Sequence, residues 1–92
     1  MRFEDALFNW LQMEIVAEAR PDDRAAADTR DFFLQILSED HGAASVRIAS
    51  RDETFLHVAY DRGDGERTES FRREVAEQLL ADIRANPKYN EQ

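Results

Sequence analysis

The segment LQMEIVAEA, Leu11 to Ala19, constrains the fold most, because its conformation decides how many strands the chain can supply. Its residues favour helices, yet apolar and polar residues alternate along it, and only Val16 breaks the alternation. On a helix, its glutamates would lie in the same sector as Leu7 and would leave no apolar face. The two-residue period therefore predicts a strand from Leu11 to Ala19, and the alternative is a single helix from Phe3 to Ala19.

Helices are predicted in several other parts of the chain. A short helix precedes the strand, because apolar residues recur every three or four positions from Phe3 to Trp10. A second helix begins near Pro21, which suits a first helical position, and ends at Gly42, which suits a left-handed exit. The last helix is predicted from about Thr68 to Asn86, and Pro87 is expected to end it.

Two neighbouring strands are predicted over residues 43–50 and 54–61, AASVRIAS and TFLHVAYD. If their apolar faces match, they form a hairpin whose loop is Asp52 to Thr54. The second strand is the more apolar, so it is expected at the centre of the sheet. The predicted cross-strand pairs are Val46 with Tyr60, Ile48 with Val58, and Ser50 with Leu56.

These elements predict an α+β fold with the order α-β-α-β-β-α, in which helices cover one face of a small three-stranded sheet and the other face stays open. A chain of 92 residues has apolar material for one core, so residues 1–92 are expected to form a single small acidic domain. The core is predicted from the apolar side of each element. It comprises Phe32, Phe33, Ile36, Leu56, Val58, Phe71, Val75 and Leu79.

Composition argues against several classes of partner. A net charge of −8 disfavours nucleic acid and anionic membranes, because both are bound through basic patches. The chain has no cysteine, which removes thiolate metal ligands and thiol nucleophiles. Its first residues show no signal-peptide pattern, and no segment is apolar enough to span a bilayer. We therefore expect a cytoplasmic protein with no cofactor, no bound metal, and neither nucleic acid nor membrane as a partner.

The two histidines are the first candidates for chemistry. His41 lies at a predicted helix end, where a positive imidazole would complement the helix dipole. His57 is expected on the open face of the sheet, where Glu14 from another strand could approach it. The loop from Asp61 to Glu66 lacks the oxygen ligands of an EF-hand and the pattern of a phosphate loop, so it is interpreted as a solvated turn.

The open face is the expected binding surface. Apolar residues are expected at its centre, and charged residues of both signs at its rim, as is typical of protein interfaces. No catalytic residue is assigned, because no nucleophile or oxyanion donor is identifiable in the sequence. The predicted binding residues are Val16, Arg47, Phe55 and His57, with Ala49 and Ala59 at the centre and Glu14, Glu18 and Arg51 in the rim.

These features predict a non-catalytic protein-interaction module that forms a homodimer or binds another protein. One alternative is an acidic chaperone or inhibitor that captures a basic protein. Another is a small ligand-binding domain or enzyme that uses His57 and carboxylates, although an open sheet supplies no concave pocket. The simplest alternative is a monomer whose sheet has one polar, solvated face.

Overall fold

The structure is a computed structural model, and it describes residues 1–86. The elements in chain order are α1 (Phe3–Ala19), α2 (Arg24–His41), β1 (Ala44–Arg51), β2 (Phe55–Asp61), β3 (Glu66–Arg72), α3 (Arg73–Ala76) and α4 (Gln78–Ala85). The predicted α+β class with an open three-stranded sheet is confirmed, and β2 lies at the centre as expected. Within residues 1–86, none of the helices is both long and apolar enough to cross a membrane. Pro87 lies outside the described residues.

The prediction of a strand from Leu11 to Ala19 is wrong, because α1 is one continuous helix, which is the alternative that the sequence left open. This helix packs against α2, and its side chains share one core with the strands and with α4. Val16, which would lie opposite the main apolar sector, is only 1% exposed. A helix that is covered on several sides needs no single apolar stripe, so its periodicity is weak.

The two glutamates that argued against a helix are paired with arginines. Glu14 Oε1 lies 3.3 Å from a guanidinium nitrogen of Arg30 in α2. Glu18 Oε2 lies 2.8 Å from a guanidinium nitrogen of Arg51, at the end of β1. Both carboxylates remain partly exposed to solvent, so a helix can carry them at these positions, and the ion pairs connect α1 to α2 and to β1.

Aromatic contacts place α1 over the sheet. The ring of Phe3 packs against Tyr60 of β2 in a T-shaped arrangement, with 4.9 Å between ring centroids. The ring of Phe8 contacts Phe71 of β3 at 5.8 Å. Helices therefore cover the face of the sheet that carries Tyr60 and Phe71, and the opposite face stays open.

The third strand, β3, comes from residues 66–72, part of which was predicted as helix. It pairs antiparallel with β2 throughout, with Leu56 opposite Phe71 and Val58 opposite Glu69. The turn before it contains Gly63 with φ 102°, a conformation that favours glycine. The predicted last helix is therefore wrong over its first residues, because Phe71 contributes to the core from a strand. Only α3 and α4 remain helical.

The hairpin of β1 and β2 has the predicted pairing at its centre, since Ile48 lies opposite Val58. The pairing of Ser50 with Leu56 is wrong, because a register shift after Ile48 places Ser50 opposite His57. The same shift places Arg51 opposite Leu56, on the side that faces α1. A second irregularity, between residues 44 and 47, covers the position predicted for Val46 and Tyr60.

The helix α2 begins after Asp23, whose carboxylate accepts a hydrogen bond from the backbone N–H of Ala26 at 3.0 Å. The start therefore lies a few residues after Pro21, where it was predicted, because Asp23 supplies the N-cap. At the other end, Gly42 adopts the expected left-handed conformation, with φ 65°.

The predicted core is confirmed in the sheet and only partly in the helices. Leu56 and Val58 are fully buried. Phe32 and Val75 are 57% and 52% exposed, so their predicted burial is wrong. The buried side of α2 is centred on Leu37, and Phe32 lies on a different side of this helix. Four residues are partly buried against the core: Phe33, Ile36, Phe71 and Leu79.

Two aspartate substitutions test this division between core and surface. Val58→Asp should leave the chain unfolded, because an unpaired buried carboxylate costs several kcal/mol, which is comparable with the whole stability of a small domain. Phe32→Asp should change the free energy of unfolding by less than about 0.5 kcal/mol, because the side chain is mostly in solvent. Urea unfolding followed by circular dichroism measures both variants. Equal stability of the two would contradict the assigned faces of β2 and α2.

Candidate functional site

The open face is the side of the sheet that points away from α1. Because Leu56 and Val58 face the helices, alternation along β2 places Phe55, His57 and Ala59 on the open face. The register adds residues from the edge strands. The cross-strand rows are Arg47 with Ala59 and Thr68, Ser50 with His57 and Ser70, and Phe55 with Arg72.

The structure brings together three of the four predicted binding residues. Arg47, Phe55 and His57 lie on the open face. Val16 does not, because it belongs to α1 and is buried in the core. Ala59 is 1% exposed between its neighbours, so Phe55, at 37%, is the one residue among the exposed large hydrophobic side chains of residues 1–86 that lies on β2. The open face is therefore more polar than predicted.

The charged residues around the open face also differ from those predicted. Arg47 pairs with Glu66 across the open face. Glu14, Glu18 and Arg51 are engaged on the helix side of the sheet, in the ion pairs with α1 and α2 described above. Glu14 therefore does not approach His57. The rim of the open face is formed instead by Arg47, Glu66 and Arg72.

His57 connects two side chains that the sequence did not associate with it. Its Nε2 lies 2.8 Å from Asp52 Oδ2, in the loop between β1 and β2. Its Nδ1 lies 2.7 Å from Ser70 Oγ on β3. We call this chain of hydrogen bonds, Asp52 to His57 to Ser70, the histidine relay. Only the loop residue could have been found from sequence, since Asp is typical of such turns, whereas Ser70 depends on the unpredicted strand.

The loop holds Asp52 firmly for this contact. Its Oδ1 accepts hydrogen bonds from the backbone N–H groups of Thr54 at 2.8 Å and Phe55 at 2.7 Å. The hydrogen bond from His57, followed by those two backbone bonds, lowers the pKa of Asp52 from 3.8 to about 2. Asp52 is thus a carboxylate at neutral pH and accepts a hydrogen bond from Nε2–H. A neutral His57 then has an unprotonated Nδ1, which accepts a hydrogen bond from the hydroxyl group of Ser70.

Other features of the described chain lie apart from the relay. A groove between α2 and β1 is lined by residues such as Leu34, Ser38 and Val46. Among residues 1–86, no three histidine or carboxylate side chains are grouped so that they could hold a metal ion.

Comparison of the chain with protein families, with curated proteins and with solved structures finds no match.

The lowered pKa of Asp52 gives a test of the relay. An NMR titration of its carboxyl carbon should have a midpoint near pH 2, and His57→Ala should move it back towards 3.8. Because the pKa is lower in the folded state, the stabilisation is present above the ordinary pKa of 3.8 and is lost as the pH falls through about 2. A midpoint near 3.8 in the parent protein would show that the contact with His57 is absent in solution.

Proposed function

We propose that this chain is a non-catalytic protein-interaction module that binds through its open face, with a second copy of itself as the first partner to test. The observation that supports the proposal is the position of Phe55. This aromatic side chain is 37% exposed on β2, the central strand of the sheet. Exposed aromatic residues contribute disproportionately to protein association when a partner buries them.

The surroundings of Phe55 are suited to recognition. Its ring lies 6.3 Å from that of His57, so two flat side chains adjoin on the same strand. Arg72 stands opposite Phe55 on β3, and the carboxylate of Asp52 accepts a hydrogen bond from the backbone of Phe55. An exposed aromatic side chain with charges of both signs near it resembles the composition of protein interfaces. Because His57 is already held by two hydrogen bonds, less conformational entropy is lost on binding.

The net charge of −8 favours partners that are not strongly acidic. It supports the second candidate as well, an acidic chaperone-like or inhibitor-like binder of a basic protein. We also propose that the protein is cytoplasmic and that it binds neither nucleic acid nor membranes. Ionic strength separates the two candidates, because capture of a basic protein weakens steeply with salt, whereas an aromatic contact does not.

Phe55→Ala should weaken self-association by about 2 kcal/mol, or roughly 30-fold in dissociation constant, because it removes the exposed aromatic side chain of the open face. Phe32→Ala is the matched control, since Phe32 is also an exposed phenylalanine but lies on α2. Sedimentation velocity over a dilution series measures both variants, with thermal melts to confirm that they fold. A parent that stays monomeric at every concentration would contradict self-association. An equal effect of Phe32→Ala would contradict the assignment to the open face.

A further inference from the structure

We propose that Ser70 is a nucleophilic serine that accepts an acyl group from an activated ester, and that it is therefore a covalent modification site on the open face. The inference goes beyond the proposed function, because it does not depend on any protein partner. It is supported by the histidine relay and by the position of Ser70 in its strand. Ser70 is exposed, so an ester in solution can reach its hydroxyl.

The pairing of β2 with β3 explains why the serine and histidine meet. The backbone N–H of Arg73 donates to the carbonyl of Thr54 at 2.8 Å, which marks that pair as hydrogen-bonded. Pairs alternate along an antiparallel ladder, so Ser70 and His57 form a pair without direct backbone hydrogen bonds. Side chains are closest in pairs of this kind, and Ser70 Oγ lies 2.7 Å from His57 Nδ1.

The same alternation directs the backbone N–H of Ser70 away from β2, towards the outer edge of the sheet. That edge is not paired with another strand within residues 1–86. The N–H is thus available to donate to the oxygen of a carbonyl group that Ser70 attacks. Serine hydrolases use the N–H of the nucleophile in this way, together with a second donor.

The acylation is balanced without any further reactant. Ser70 Oγ forms a bond to the ester carbonyl carbon while its proton passes to His57 Nδ1, and the carboxylate of Asp52 stabilises the resulting imidazolium. The bond between the carbonyl carbon and the leaving oxygen then breaks, and that oxygen takes the proton from Nδ1. The products are acyl-Ser70 and the free alcohol. Since the open face gives one donor and no enclosure, we expect one acylation per chain rather than turnover.

The direct test is the reaction of the full chain with p-nitrophenyl acetate. Release of p-nitrophenolate gives the rate, and peptide mapping by mass spectrometry locates the acetyl group and separates it from acetylated amines. One acetyl group should be found on Ser70. Thr68 is the internal control, because it is a hydroxyl residue on the same face and strand, opposite Ala59. Acetylation of Ser70 no faster than that of Thr68 would overturn the proposal.

Three variants separate nucleophilic activation from a structural role. Ser70→Ala should remove the labelled site, and His57→Gln should lower the rate about a hundredfold because the base is lost. Asp52→Asn tests most specifically whether His57 acts as the base. The two backbone N–H groups keep an oxygen at Oδ1, so the new amide nitrogen faces Nε2 and donates to it. Nδ1 then carries the hydrogen and cannot accept the proton of Ser70.

Asp52→Asn therefore preserves the number of hydrogen bonds in the relay while it reverses their direction. We expect it to fold, as checked by its thermal melt, and to lose acetylation of Ser70 about as severely as His57→Gln. Thr68→Ala should keep the rate of the parent. A folded Asp52→Asn variant that reacts at the parent's rate would show that the relay does not activate Ser70.

Discussion

The enclosure of α1 between α2 and the sheet is the constraint on which the rest of the structure depends. Its side chains supply a large share of the buried core, and its ends lie over opposite ends of the sheet. The carboxylates of Glu14 and Glu18 reach Arg30 and Arg51, in the layers on either side. Because α1 occupies one face of the sheet, Phe55 and His57, which project from β2 to the other face, remain at least partly exposed.

The helices and strands that could be predicted from sequence are those whose apolar residues lie mainly on one side of the element. The side chains of β2 alternate between the helix side and the open face, and α2 has recognisable start and stop residues, so both elements could be predicted. α1 was missed because a helix that is covered on several sides has apolar residues around much of its circumference. It therefore lacks the single apolar face by which helices are recognised in a sequence. β3 was missed because it is polar at most positions, and because Phe71 continues the helical spacing of the residues after it.

The candidate site could likewise be predicted only in part. Arg47, Phe55 and His57 followed from alternation in one hairpin, whose pairing is local in sequence. Val16 was assigned to the wrong layer along with its segment. The partners of His57 could not be predicted, since Ser70 reaches it only through the pairing of β3 and Asp52 only through the geometry of a loop. A polar face with one exposed aromatic and a preformed relay has therefore replaced the apolar patch expected from sequence.

The position of α1 is tested most directly by backbone NMR of residues 11–19, combined with amide hydrogen exchange. The account predicts helical Cα shifts throughout this segment, and slow exchange at consecutive amides such as those of Ile15 and Val16, because both lie in a buried helix. Extended shifts, with protection at alternate residues only, would contradict it. In that case the segment would belong to the sheet, and the open face would not be the surface described.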